Sequence, residues 1–569
     1  MFPIRPSREA TETRSARRRY LAILFLVAAA ADACGQREGG VERIESGAAD
    51  PVPSGDHQGA PPNGDWLVYG HTAEPSSLDC ARTTELMGRR ICRLVADSLI
   101  DFDQQNVFVP RLARSFERSD DGLTVTFRLH DGVRWHDGRP FTAADVLHTV
   151  EVARGVDPSG ENFNTSFGTL SAVTAPDDLT VVATYSAPYA GALRGWRDTF
   201  IIPAHVAYDP EKESPMARAP IGTGPFRFLD WMPQTQITLE ANPDYFGGRP
   251  HLDRIVYRIV PNQEALRAAA EAGTVDVAGL APGWIEAHPG PNPDLPFRLV
   301  TYPVSGMDMI YWNIGEPRGL FADRRVRLAM TMLVDREGYA SRIQKGIYSP
   351  ATTLIDPRLW GGDPNLRPHP YDPAAAVRLL DEAGIVDRDG DGIRDAASGP
   401  MSFTLLYASV TPGHRELAEL FERASAGAGL RVRLQALESA VMRPRLEDGD
   451  YEAAVTRWAI EPLPDPFAYF HSSQIGGGGF NRGRFRHAEF DRLSESFRGV
   501  LDPDRAAALL VDMQRILHEE QPCTFVAIPG ALIAVHRRLH LPEPTVTGLF
   551  DWYPSVLTWW VAADERKYP

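Results

Sequence analysis

The chain has 569 residues, with 43% hydrophobic and 24% charged side chains, which is typical of a soluble globular protein. A chain of this length exceeds one ordinary hydrophobic core, so we expect two or three domains. The formal net charge of -16 disfavours nucleic acid or an anionic membrane surface as a partner, because both repel an acidic protein surface.

The first residues have the composition of an export signal. Three consecutive arginines ending at Arg19 precede the apolar run "YLAILFLVAAAA", which is much shorter than the roughly 20 residues of a membrane-spanning helix. The following "ADACGQ" resembles a bacterial lipoprotein cleavage site, so we expect residues 1–33 to be removed and Cys34 to be acylated. The alternative is cleavage near Ala33 by an ordinary signal peptidase, which leaves a free protein.

Residues 34–65 are rich in Gly, Pro, Ser, Asp and Glu and nearly free of large apolar side chains, which predicts a flexible tether. Three cysteines remain in the mature body. Cys80 and Cys92 are close enough in sequence for a disulfide in an exported protein, although only their geometry decides this. Cys523, within "EEQPCTFVAIP", has the surroundings of a buried core cysteine.

The first half of the body alternates predicted strands and helices. The patterns predict a strand at "WLVYG", a helix in "TELMGRRICRLVADSLI", a strand pair in "LTVTFRLHDGVRW" around a turn at Asp131 and Gly132, a helix at "TAADVLHTVEVAR" and a strand at "LTVVATYSAP". Thr142 and Asp145 form a variant capping box for the second helix. A strand at "HLDRIVYRIVP" and a helix at "NQEALRAAAEAG" that ends at Gly273 follow.

The second half begins with "DRRVRLAMTMLVDREGYASRI", whose pattern predicts one long amphipathic helix. The next predicted helix, "DPAAAVRLLDEAG", is capped by Asp372 and closed by Gly384. Predicted strands at "MSFTLLYAS", "LRVRLQAL" and "YEAAVTRWA" alternate with helices, and a final helix at "PDRAAALLVDMQRILHEEQP" ends at Pro522. This alternation predicts an α/β fold with mixed sheets.

The chain has no compact catalytic or nucleotide-binding motif. There is no Gly-x-Ser-x-Gly, no Cys-x-x-Cys and no His-Glu-x-x-His, since "HEEQP" at His518 ends in proline. "GTGPF" lacks the third glycine of a dinucleotide-binding loop, and Pro225 removes a backbone N–H that an anion would need. These absences count against an enzyme. An exported hydrolase with catalytic residues dispersed along the chain is the alternative.

The segment "DRDGDGIRD" has the pattern of a metal-binding loop. Asp387, Asp389 and Asp391 match the first half of a calcium loop, and Asp395 falls at its ninth position. The twelfth position, which needs a bidentate glutamate, is Ser398. Two hypotheses follow: a calcium ion that acts as a structural clip, or a solvated Asp/Gly turn without metal.

Six motifs then occur in a fixed order: "DGVRWHDGRPFTAADV", "GTGPFRF", "NPDYFGGRPHLDRIVYRIVPN", "RRVRLAMTMLVDRE", "YDPAAAVRLLDEAG" and "YEAAVTRWAIEPLPDPFAYF". In this order and spacing they resemble extracellular solute-binding protein family 5, the peptide-binding components of ABC importers. The resemblance extends from Trp66 to the C-terminus.

The resemblance implies a two-lobed periplasmic-binding-protein fold of the large, peptide-binding type, with a hinge that closes over the ligand. Lobe I would hold residues 66–300, with an inserted subdomain at about 100–219, and the return segment 531–569. Lobe II would hold residues 301–530. In this family the Gly-Thr-Gly-Pro turn re-enters lobe I after the insert, so we expect its glycines to allow a tight backbone path.

The resemblance also implies a ligand site. In peptide-binding members an aspartate three residues after a tryptophan receives the ligand's ammonium group, and here the pattern is "RWAIEP", with Trp458 followed by Glu461. Glutamate keeps the charge, so we expect Glu461 to anchor the ammonium group, with a surface glutamate as the alternative. The other expected site residues are Asp465 as a second carboxylate, Trp458 and Ala459 along the ligand backbone, and Tyr407, Trp360 and Trp312 as aromatic walls, unless these three belong to the core.

We therefore expect a lipid-anchored, monomeric binding protein in the periplasm or cell envelope, without a cofactor apart from the calcium hypothesis. It would capture peptides and deliver them to an ABC permease in the inner membrane. Dipeptide-specific members hold the ligand carboxylate with an arginine near "YASVTPGH", and no basic residue precedes His414 and Arg415 here. This disfavours strict dipeptide specificity. The family also includes proteins for nickel complexes, haem and oligosaccharides, so a non-peptide ligand is an alternative, as is a receptor that signals to a sensor partner.

Overall fold

The structure is a computed structural model, and it describes residues 61–83, 85–102, 108–156, 167–188, 191–209, 212–288, 292–304, 306–357, 360–409, 411, 413–458, 465–476, 479–500, 502–541 and 555–568. The predicted signal peptide, the predicted acylation site Cys34, most of the predicted tether, and Ala459 and Glu461 lie outside these residues. Within the described ranges, no helix combines the length and the apolar character that a membrane crossing requires.

A seven-stranded mixed sheet forms the first core, which we call lobe I. In spatial order its strands are Phe297–Pro303, Gly530–His536, Val277–Leu280, Trp66–His71, Arg254–Ile259, Gln236–Ala241 and Phe226–Met232. The three central strands are parallel, and their apolar runs are buried because both faces of the sheet are covered. The helices Leu86–Val95 and Gln263–Glu271 pack on opposite faces.

A six-stranded mixed sheet forms the second core, lobe II. Its strands in spatial order are Ser349–Pro350, Cys523–Ile528, Met307–Trp312, Ala453–Trp458, Ser402–Ala408 and Arg431–Leu437. One face is covered by the helices Arg324–Met332, Pro373–Glu382 and His414–Gly427. The other face is covered by the helices Ser439–Asp448, Pro466–Phe470, Ala488–Gly499 and Pro503–Glu520.

A third, four-stranded antiparallel sheet lies within lobe I in sequence, and we call it the insert. Its strands in spatial order are Ala113–Arg118, Thr124–Leu129, Thr180–Tyr185 and Leu170–Asp177, and its helices are Ala143–Val156 and Ala192–Asp198.

The predicted strand pair around Asp131 and Gly132 is wrong. Thr124–Leu129 pairs with its two neighbours in the sheet, whereas the residues after the turn form only an isolated bridge between Arg134 and Pro140.

Local capping signals hold in the structure. The Thr142 N–H donates to the Asp145 carboxylate at 2.9 Å, which is one half of the predicted capping box. The Ala375 N–H donates to Asp372 at 2.8 Å, and Gly384 has a φ of 76° after that helix. These residues therefore fix where two helices begin and where one ends.

One predicted helix is broken. The pattern "DRRVRLAMTMLVDREGYASRI" predicts a single helix, but the α-helix ends at Met332. A second helical segment consists of Arg336–Gly338 and the π-helical turn Tyr339–Ile343. Asp335 starts this segment, because its carboxylate accepts the Gly338 N–H at 2.7 Å.

The Gly-Thr-Gly-Pro turn packs against the end of the helix Leu86–Val95. A Cβ atom at Gly222 would lie 2.5 Å from the carbonyl carbon of Val95 and closer still to its oxygen, so only glycine fits. His136, from the insert, holds the same turn: its N–H donates to the Gly222 carbonyl at 2.8 Å, and its Nε2 lies 2.9 Å from the Gly224 carbonyl oxygen. The turn therefore joins the insert to lobe I.

The cysteines fall into a bonded pair and a free residue. Cys80 and Cys92 form a disulfide with a Cα–Cα distance of 5.5 Å. It ties the segment before the helix Leu86–Val95 to the helix itself. Cys523 is free and buried in lobe II, as predicted, and burial raises the pKa of its thiol well above the ordinary value.

The C-terminal segment returns to lobe I. Trp559 is fully buried in the lobe I core, and Tyr568 stacks on Trp66 at the first strand, with 5.0 Å between ring centroids. Three short strand pairs lie outside the larger sheets: Ile100–Phe102 with Phe108–Pro110, Asp395–Ala396 with Gly399–Pro400, and Leu539–His540 with Trp560–Val561. The remaining short helices are Pro215–Ala217, Gly283–Ala287, Ser472–Gln474 and Ser555–Thr558.

The strands that end at Pro303 and begin at Met307 belong to different large sheets, as do those that end at Ile528 and begin at Gly530, so the chain passes between the lobes at two crossovers in the described part of the fold. The two crossovers contact each other, because the Val304 N–H donates to the Pro529 carbonyl at 2.9 Å. Ile347 of lobe II packs beside them against the cores of both lobes. These paired crossovers are the feature about which one lobe can rotate relative to the other.

Candidate ligand cleft

The carboxyl ends of the parallel strands in both lobes flank the crossovers. In lobe II the parallel strands end at one edge of the sheet, where Trp458 lies opposite Met307. In lobe I the central parallel strands end near Leu280, which lies opposite Leu532, just after the second crossover. Ligands of open α/β sheets bind outside such carboxyl ends. We call the space between these two edges the cleft.

Trp458 stands at this edge within a group of aromatic rings. Its ring centroid is 4.9 Å from that of Tyr469 and 5.2 Å from that of Phe480, with the rings edge to face. Trp458 and Tyr469 are half-buried, whereas Phe480 is 39% exposed. The structure thus surrounds one predicted site residue with two that the sequence did not single out. Their only signal is the aromatic-rich "DPFAYF" and the phenylalanine after four glycines.

Asp465, predicted as a second carboxylate, is already engaged within lobe II. It accepts the Phe467 N–H at 3.0 Å as a helix cap, and the Arg498 Nε lies 3.2 Å from its carboxylate. Burial raises the pKa of Asp465. The positive charges of Arg498 and Arg194, together with the hydrogen bond from the Phe467 N–H, partly offset this rise. Arg194 belongs to the insert, so the insert approaches lobe II near Asp465.

A buried ion pair joins two neighbouring strands at the same edge. Asp308 is fully buried, and it accepts from the Nε and one Nη of Arg457 at 2.6 and 3.0 Å. The Tyr339 hydroxyl donates to the same carboxylate at 2.9 Å, and His414 Nε2 lies 3.3 Å from it. The Arg457 side chain keeps 27% of its surface exposed. Sequence analysis missed this cluster, although Asp308 is the only charged residue in "MDMIYW".

The electrostatics of the cluster favour both charged forms. Burial alone would raise the pKa of Asp308, but the hydrogen bonds of His414 and Arg457 and the guanidinium charge outweigh burial, so the pKa lies below its ordinary value. Burial lowers the pKa of Arg457, and Asp308 more than reverses this, so the guanidinium stays charged. The cluster is therefore a permanent ion pair.

The three aromatic residues predicted as cleft walls have different surroundings. Trp312 is fully buried in the lobe II core, and its indole N–H donates to the Thr524 hydroxyl at 3.1 Å. A ligand wall needs exposed ring surface, so the prediction for Trp312 is wrong. Tyr407 and Trp360 are half-buried and pack against the two different lobe II cores, one on each face of the sheet.

The acidic loop lies away from the cleft, before the amino end of the strand Ser402–Ala408. One carboxylate oxygen from each of Asp387, Asp389 and Asp395 lies within 4.8 Å of the others. Asp391, the remaining predicted ligand, accepts the Ile393 N–H at 2.7 Å and is outside this group. Three hard oxygen donors suit calcium, and backbone N–H groups already donate to all three carboxylates.

Comparison with known proteins gives a consistent result. The family described as "Bacterial extracellular solute-binding proteins, family 5 Middle" matches residues 107–481. Oligopeptide-binding protein AppA of Bacillus subtilis is 28% identical over 520 residues, which cover 89% of this chain and 93% of AppA. Heme-binding protein A of Haemophilus influenzae is 28% identical over 465 residues, which cover 76% and 81% of the two chains.

The solved structure of AppA from Bacillus subtilis, in complex with a nonapeptide, superimposes with a TM-score of 0.71 at 27% identity. The match covers 88% of this chain and all of that one. The predicted α/β fold with two lobes about a hinge is thereby confirmed.

Proposed function

Because the chain belongs to family 5 of the bacterial extracellular solute-binding proteins, we propose that it captures peptides in the cleft and delivers them to an ABC permease. One observation carries this proposal: the chain matches an oligopeptide-binding protein over about nine-tenths of both lengths, and the structure of that protein holds a nonapeptide. The function is binding and release, without chemical turnover of the ligand.

The proposed ligand is an extended peptide that lies along the cleft edges. Peptides in such sites pair through their backbone with strand ends, and their side chains occupy separate pockets. Trp458, at the end of its strand, would contact the ligand backbone together with Ala459. Glu461 would anchor the ligand's ammonium group, with Asp465 as a second carboxylate nearby. Tyr407 and Trp360, which keep exposed surface, are the remaining proposed walls.

The cellular setting is also part of the proposal. Signal removal and acylation of Cys34 would hold a monomeric protein at the cell envelope through the tether, where it meets its permease in the inner membrane. The acidic loop near Asp387 would hold a calcium ion as a structural clip, remote from the ligand.

A non-peptide ligand is the second candidate. Heme-binding protein A shares the same 28% identity as the oligopeptide-binding relative, although over a smaller part of this chain. The two candidates differ in the group they require, since only a peptide offers a free backbone ammonium group.

The test is a calorimetric titration with one peptide that has either a free or an acetylated amino terminus. Loss of one partner of a buried charge pair costs about 2–5 kcal/mol, so we expect acetylation to weaken binding by about 30-fold or more. Glu461→Gln should weaken the free peptide equally and should bind both peptides alike. Glu519→Gln, at an exposed helical position in lobe II, is the matched control. Equal affinities of wild type for both peptides would refute the ammonium anchor.

A further inference from the structure

We propose that Arg457 selects ligands that carry a carboxylate, and that Asp308 positions its guanidinium group for this contact. The proposal rests on the proposed function, because it takes the ligand to be a peptide. It adds the chemical class of peptide that the cleft prefers, namely one with an acidic group within reach of the lobe II edge.

The cation is the exposed member of the ion pair, at the strand end that borders the cleft. Asp308 has no exposed surface, whereas Arg457 keeps 27% of its side chain exposed beside Trp458. Two of the five guanidinium N–H groups donate to Asp308. An anion that approaches from the cleft therefore meets the guanidinium first, with the compensating carboxylate beneath it.

The charged pair stands where the neighbouring positions are apolar. On this face of the two paired strands, Ile310 lies opposite Val455, and the next pair toward the cleft is Asp308 opposite Arg457. Apolar side chains of similar volume would join the strands at least as stably as a buried ion pair. Strand pairing alone therefore does not explain why charges occupy the last pair of this face before the cleft.

The surrounding groups fix the guanidinium in place. Tyr339 and His414 approach the Asp308 carboxylate from the protein interior, and Gln344 donates to the Tyr339 hydroxyl at 3.0 Å. The Arg457 guanidinium lies 5.4 Å from the centroid of the Tyr348 ring. A guanidinium held in this way can bind a carboxylate with little loss of side-chain entropy, since its geometry is set before the ligand arrives.

Two peptide groups could supply the carboxylate: the C-terminus, or an aspartate or glutamate side chain. Three peptides of one length and common neutral sequence distinguish them. The first has a free C-terminus, the second is amidated, and the third is amidated and carries one glutamate. We expect wild type to bind at least one acidic peptide about tenfold or more tightly than the neutral amidated peptide, and the better of the two identifies the source.

Arg457→Met should remove this preference, so that the acidic and the neutral peptides bind with similar affinities. Arg457→Lys should retain part of it, because an ammonium group offers the charge without the fixed fork. The control is Arg318→Met. Arg318 is 35% exposed and pairs with Glu452 at the opposite end of the same strands, so its loss should leave the preference intact.

Asp308→Asn tests the positioning role. It should reduce the ratio between the affinities for the acidic and the neutral peptide. The affinity for the neutral peptide itself should change less. Because Arg457→Met leaves Asp308 buried without its partner, the double variant Asp308→Leu with Arg457→Met restores an apolar pair like the one beside it. This variant should fold as wild type does and still lack the preference.

The outcomes separate the two proposals. If wild type binds all three peptides alike, or if the preference survives in both Arg457→Met and the double variant, the role of Arg457 is refuted while peptide binding stands. If wild type binds none of the peptides, the proposed function itself fails.

Discussion

The glycine of the insert-to-lobe junction gives the sharpest stability prediction. In Gly222→Ala the new methyl group would lie 2.5 Å from the Val95 carbonyl carbon. Contacts below 3.0 Å do not persist, and the Val95 carbonyl oxygen is closer still, so the turn or the helix end must move by about one ångström or more. Such overpacking costs about 1–3 kcal/mol.

Movement of the turn also strains its hydrogen bonds. The bonds at risk are those of His136 with Gly222 and Gly224 and of the Gly224 N–H with the Val95 carbonyl, each with a net contribution of about 1 kcal/mol. Alanine recovers about 0.4–1 kcal/mol by restricting the unfolded chain. We therefore expect Gly222→Ala to lower the free energy of unfolding by about 3 kcal/mol.

Scanning calorimetry measures this effect as a fall in melting temperature of about 6 °C, at roughly 2 °C per kcal/mol for a unit of this size. The matched control is Gly279→Ala in the lobe I sheet, where a Cβ atom meets nothing within 4 Å. It should leave the melting temperature unchanged or raise it slightly. If Gly222→Ala melts within 1 °C of the control, the argument from close approach is wrong.

Three further predictions concern pH, the disulfide and metal. Burial lowers the pKa of His136 from 6.5 to about 4, so the unfolded chain takes up the proton first as the pH falls. The free energy of unfolding therefore declines between these pH values by at most about 3 kcal/mol, and the melting temperature of His136→Gln should fall less than that of wild type over this range. Reduction of the Cys80–Cys92 disulfide, with a sequence separation of 12, should cost about 3 kcal/mol, and an unchanged melting temperature after complete thiol reduction would refute this. Calcium should raise the melting temperature of EDTA-treated wild type but not of Asp387→Asn, and equal values with and without calcium would rule out the clip.

Much of the fold could be predicted because its signals are local. Asp372 caps a helix through its own side chain, and Gly273 and Gly384 end helices at positive φ. The failures occurred where local signals compete or where pairing is non-local. Asp335 starts a new helical segment inside a continuous amphipathic pattern. The strand Thr124–Leu129 pairs with the preceding strand Ala113–Arg118 and with the distant strand Thr180–Tyr185, and not with the residues after the turn at Asp131.

The candidate site was less predictable because it depends on strand register. Every residue of Met307–Trp312 is buried, so no alternation in the sequence shows that Trp312 faces the core or that Asp308 meets Arg457. The two members of this ion pair are 149 residues apart in the chain. Only the assembled sheet brings them together at the cleft, whereas the position of Trp458 followed from the resemblance to a known family.

Peptide binding in the cleft is most directly tested by native mass spectrometry of the protein purified from cells, followed by denaturation and sequencing of what is released. We expect wild type to release peptides of mixed sequence and narrow length, enriched in acidic groups. The variant Glu461→Ala should release none. Release of a defined non-peptide compound such as haem would contradict the proposed function. So would a cleft that is empty and stays empty after incubation with a peptide pool.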